Sequence, residues 1–238
     1  MAAPDRTTSP DIRCAGTIWA IAGLNAAVFA AILTASAFGV DLLEALALPA
    51  SSPRAYQALS YMFAHAGLLH ILVNMLVFVA YGSLASTLGL GHAVAPLYLA
   101  GGLAGAAGFG LFAAGGSMLA GASASVLAVL TAITVWCGSL RVAIPWAGRP
   151  RLWAVSVPLA ALAVCSALGA GESGALAAHV AGLLAGLLAA LVFFIPGRGR
   201  VRKWLSSRRE YDSARLRVLD KARFSGYSSL TESERKLL

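Results

Sequence analysis

Six stretches of this chain, residues 16–38, 62–84, 93–114, 121–139, 152–170 and 175–195, contain no Asp, Glu, Lys or Arg. Each meets or approaches the ~18 to 20 apolar residues needed to cross a bilayer. Inside hydrocarbon the backbone must satisfy its own hydrogen bonds, which leaves helices or closed barrels. The runs are rich in Ala, Leu, Val and Gly and lack the in-out alternation of a barrel strand. The expected fold is therefore all-α, a polytopic membrane bundle of six transmembrane helices. At 59% hydrophobic and 12% charged residues the chain is too apolar for a soluble core.

The first run needs one check, because Ala35-Ser36-Ala37 imitates a signal-peptidase site. Its length exceeds the roughly 7–15 residues of a signal-peptide apolar region, so it reads as a retained first helix. Cys14, Cys137 and Cys165 show no spacing that suggests a disulfide framework or a metal site. Orientation follows from the arginines. Arg6 and Arg13 precede the first span, Arg141, Arg149 and Arg151 fill the fourth connection, and twelve Lys and Arg against five Asp and Glu follow Gly197. The opposite connections carry Asp41, Glu44 and Glu172 with only Arg54. The positive-inside rule then places both termini in the cytoplasm. The net charge of +8 is accounted for by topology and tail, so no nucleic-acid partner is inferred.

Three regions result: a cytoplasmic segment 1–15, a six-helix core 16–196, and a basic cytoplasmic tail 197–238. The tail's first part is expected to rest on the lipid bilayer headgroups. Its DSARLRVLDKARF stretch reads as a short amphipathic helix ending near Gly226, and Thr231 with Glu234 forms a capping-box pattern. The spans differ in polar content, which argues against an inverted-repeat transporter.

Chemically capable side chains inside the spans are His65, His70 and Asn74 in the second, Ser123 and Ser125 in the fourth, and His179 in the sixth. Each left unpaired in hydrocarbon costs a few kcal/mol, so they must pair or do chemistry. Without a buried carboxylate, proton-coupled transport and a Ser-His-Asp triad both lack an essential part. The HAGLLH spacing does not fit an HExxH metal site.

A serine with a base remains. Ser123 stands at the start of its span, where free N–H groups favour a developing anion. Gly182 and Gly186 after His179 form a small face that lets another helix approach. His70 and Asn74, four apart, share a helix face and suit an oxyanion site. His65, about 140° round the helix from His70, reads as a brace for the first outward loop. An interhelical hydrogen-bond pair is the rival account of His70 and Asn74. Ser125, Thr131 and Thr134 read as packing or back-bonded groups.

FAHAGLLHILVNM, then GASAS, then AHVAGLLAGLL, on spans two, four and six, resembles the rhomboid family of intramembrane serine proteases. The resemblance implies a rhomboid-like bundle, with Ser123 as nucleophile, His179 as base and His70 with Asn74 at the oxyanion. His65, Gly121, Gly182 and Gly186 would support the motif. It implies a serine endopeptidase acting on transmembrane protein substrates with no cofactor and no metal, sited in a bacterial inner membrane with the active site facing outward. The tail resembles extensions of some bacterial members. Two positions depart from the family pattern: Ala124 stands where glycine is usual, and Leu127 where many members carry tyrosine. The alternative is a catalytically inactive relative that binds transmembrane clients.

Overall fold

The computed structural model describes residues 12–144 and 148–238; side chains at 12, 13, 194–198, 200–205, 208, 209 and 212 are outside the description. Arg6, most of the segment 1–15, and the side chains of Arg13 and of much of the basic block after Pro196 therefore lie outside the described residues.

Among the described residues ten α-helices follow in order: α1 Ile12–Ala37, α2 Leu42–Leu46, α3 Gln57–Ser60, α4 Leu68–Thr87, α5 Val94–Phe112, α6 Ser123–Cys137, α7 Leu152–Gly169, α8 Ser173–Val192, α9 Phe194–Ser225 and α10 Glu232–Arg235. Five of them, α1, α4, α5, α7 and α8, are long and apolar enough to cross a membrane. With α6 they form an all-α polytopic bundle.

The sixth member differs in kind. At 15 residues, α6 spans only about 22 Å, short of the ~30 Å hydrocarbon thickness. All of it except Ser123, Thr131, Thr134 and Val135 is buried, as expected of a helix apolar on every face. α5 and α8 enclose it closely. A Cβ added at Gly182 or Gly186 of α8 would collide with the backbone of Ala124 or Ala128. One added at Gly101 of α5 would meet Ala128, and at Gly105 the methyl of Ala124 at 2.5 Å. The glycines thus let three helices touch by backbone, the packing route open where lipid removes the hydrophobic drive between helices.

The outer helices show the reverse pattern. Leu69, Leu72 and Leu76 of α4, and Val157 and Leu162 of α7, are exposed. A contiguous apolar surface of this kind needs lipid against it. Asn25, fully buried on α1, donates to the Tyr98 hydroxyl of α5 at 3.2 Å and to the Ile21 carbonyl at 2.8 Å. This single polar residue in an otherwise apolar stretch ties the first helix to the centre.

Two boundaries correct the sequence reading. The second span does not begin at residue 62. Residues 62–67 are irregular, and α4 starts only after Gly67, whose extended backbone (φ −165°) forms its N-cap. Nor does the tail hold only a short helix. α9 runs from Phe194 through Pro196 to Ser225, because proline in a first turn removes no hydrogen bond that the helix needs. The expected end near Gly226 and the capping box of Thr231 and Glu234 are both present.

Candidate active site

The N-terminus of α6 is fixed from below by two neighbouring strips of chain. Leu48–Pro49 (β1) pairs antiparallel with Met118–Leu119 (β2), Leu48 opposite Leu119. The Gly121 N–H donates to the Tyr61 carbonyl at 2.9 Å, while the Tyr61 hydroxyl donates to the Gly102 carbonyl at 2.6 Å. Tyr98 in turn donates to the Met62 carbonyl at 3.0 Å. The irregular stretch after α3 is thereby held against the turn that delivers Ser123.

His65 belongs to this scaffold. Its Nε2 accepts the Ala122 N–H at 3.4 Å, its Nδ1 lies 3.3 Å from the Phe63 carbonyl, and the ring is fully buried. A carbonyl only accepts, so Nδ1 carries the proton. His65 therefore braces the connection before α6 as well as its own loop. The expected helical offset of about 140° from His70 fails because no helix passes through residue 65. The two rings still meet edge to face, with centroids 5.0 Å apart.

Gly121 adopts φ +114°, a conformation that L side chains rarely take. A Cβ there would lie 2.5 Å from His70 Cε1, so the glycine serves both the turn and the approach of the ring. Ser123 follows as the first residue of α6, and its hydroxyl lies 2.8 Å from His179 Nε2 of α8. His179 Nδ1 lies 2.9 Å from the Ala163 carbonyl of α7. Asn74 donates to the His70 carbonyl within α4 at 2.9 Å, which leaves one amide hydrogen uncommitted to that bond.

His70, Asn74, Ser123, Leu127, Ala163 and His179 all line one cavity of about 270 Å³. Val73 and Val77 of α4 form one wall, and Leu159 and Leu162 of α7 the opposite one. Ser125 faces elsewhere, buried with its hydroxyl 4.0 Å from Met62 Sδ. Thr134 back-bonds to the Leu130 carbonyl at 2.7 Å. The geometry joins residues from four helices, and sequence reasoning missed two participants. Ala163 acts through its carbonyl and carries no side-chain signal; Tyr61 looks like ordinary core.

The Rhomboid domain family model matches residues 52–196, and the chain belongs to the rhomboid family. The match runs from the loop before α3 to the start of α9, leaving α1, α2 and the tail 197–238 outside it. No curated protein matches the chain.

Proposed function

We propose that this rhomboid-family membrane protein is an intramembrane serine endopeptidase that cuts peptide bonds in or near transmembrane segments of other proteins. One observation carries the reading: the Ser123 hydroxyl lies 2.8 Å from His179 Nε2 beside a cavity between membrane helices.

Ser123 donates its proton to Nε2 as its oxygen attacks the substrate carbonyl, because a serine hydroxyl is a weak nucleophile without a base. The carbonyl oxygen becomes an anion. The Ser123 N–H, unpaired at the first position of α6, faces it with the side chains of His70 and Asn74. Collapse expels the amine, which takes the proton back from His179. Water then hydrolyses the acyl-enzyme by the same path reversed. Ala124, which replaces the usual glycine, is compatible with this site because Gly105 and Gly182 leave room on both sides.

The protease core occupies residues 16–196 and the tail 197–238. In this reading both termini are cytoplasmic, the protein lies in a bacterial inner membrane, and the site opens to the outward face. The charge asymmetry of the connections supports that orientation. Purified protein incubated with a panel of single-span substrates tests the activity, with Ser123→Ala as control. Cleavage by the wild type alone is expected. Absence of cleavage across the panel, or equal cleavage by Ser123→Ala, would count against it.

A further inference from the structure

We propose that α7 completes the catalytic unit through its main chain, with Ala163 as the positioning residue for His179. The inference rests on the dyad reading above.

The ring's two nitrogens have different partners. Nδ1 lies 2.9 Å from the Ala163 carbonyl and Nε2 lies 2.8 Å from the Ser123 hydroxyl. A carbonyl oxygen can only accept, so Nδ1 must carry a proton. In the neutral ring Nε2 is then bare and must accept, which is the state a general base requires. The Ala163 carbonyl thus selects the productive tautomer and aims the ring, the part a carboxylate plays in a triad. A neutral carbonyl does so without placing a charge in the membrane interior. Ser166 donates to the same carbonyl at 2.8 Å, one turn further along α7, and holds the oxygen in a shared arrangement.

Among the described residues, the Ala163 carbonyl is the hydrogen-bond partner of Nδ1. Leu127, one turn after Ser123, is aliphatic and offers the ring neither a hydrogen bond nor an aromatic face. α7 is fastened at the end away from the site. The Ser156 hydroxyl, buried, meets Tyr81 of α4 at 2.6 Å and Thr134 of α6 at 2.7 Å. Ala163 stands two turns beyond Ser156, hence on the same face of the helix. The backbone of a helix whose Val157, Leu162 and Leu168 side chains are exposed therefore becomes a condition of the chemistry.

A backbone ester tests this in the full chain. Replacing Val164 by its α-hydroxy acid turns the Ala163 carbonyl into an ester carbonyl, a weaker acceptor. The same change at Leu162 weakens the Ala161 carbonyl, about 200° round the helix, and removes an equivalent helical N–H. ¹⁵N-labelled histidine reads the tautomer directly. Expected is a His179 signal with Nδ1 protonated in the wild type and in the Leu162 ester, giving way to a tautomeric mixture in the Val164 ester. Turnover in the Val164 ester should fall about tenfold with little change in KM. An Nε2-protonated His179 in the wild type, or an unchanged signal in the Val164 ester, would overturn the proposal. If the wild type cuts nothing, the dyad reading fails by itself, and the nitrogen signals still decide the role of Ala163.

Discussion

Asn74 donates one amide hydrogen to the His70 carbonyl and turns its side chain towards the cavity that holds Ser123. If it stabilises an oxyanion, its contribution arises only once the carbonyl oxygen is charged. Asn74→Ala should therefore lower turnover about 10²–10³-fold with KM and melting temperature nearly unchanged. Parallel kinetics and melting on one preparation measure this, and normal turnover in a stable variant would reduce Asn74 to a helix tie. Gly182 has the opposite kind of role. Its Cα faces the backbone of Ala124, so Gly182→Ala must push α8 away from α6. A loss of about 1–3 kcal/mol is expected from such overpacking, read as a lower melting temperature in detergent. At this scale much was legible: the four-residue spacing of His70 and Asn74 gave a shared face, and the four-residue spacing of Gly182 and Gly186 gave close contact. Asn25 and Ala163 were not, since one lies alone in an apolar run and the other acts through its backbone.

Among the elements, α4 and α6 show where hydropathy stops informing. Phe63, Ala64 and His65 extend the apolar run of the second span, yet tertiary bonds to the Tyr61 and Met62 carbonyls, with the local contact of His65 on the Phe63 carbonyl, hold this strip open. Gly67 was the local sign of the break. The length of α6 was unreadable for a related reason, because Leu119, Gly121 and Ala122 carry no polar side chain but are paired to neighbouring chain before the helix begins. The junction of α9 and α10 makes a prediction of its own. The Lys221 ammonium, hydrogen-bonded to Glu234 at 2.9 Å, and the Thr231 N–H hold the Glu234 carboxyl down to about 2, against an ordinary value of 4.5. A depressed carboxyl contributes stability above its unfolded value and loses it as pH falls through the folded one. Protection of the α10 amides, corrected for intrinsic exchange, should hold from about pH 7 to 5 and decline between 4.5 and about 2. The pair is partly exposed, so the effect should be small and weakened by salt. Constant protection down to the lowest pH would show that the burial of Val218 and Leu230 suffices.

For the molecule as a whole, α5, α6 and α8 pack most closely on one another and α1, α4 and α7 pack alongside them, with the polar cluster at the end where residues 38–67 meet 113–122. Charge asymmetry predicts that a reporter after Leu238 behaves as cytoplasmic and one near Ser117 as external. The reverse pattern would place the site on the wrong side for the proposed orientation. The central claim is that Ser123 is a nucleophile activated by His179, and a fluorophosphonate probe tests it without knowledge of any substrate. Attack by the Ser123 oxygen forms a P–O bond, expels fluoride and passes the hydroxyl proton to His179. Mass spectrometry of the labelled wild type should find the adduct on Ser123 and not on Ser125, with His179→Ala folded but unlabelled. An adduct on another serine, or undiminished labelling of Ser123 in folded His179→Ala, would contradict the account.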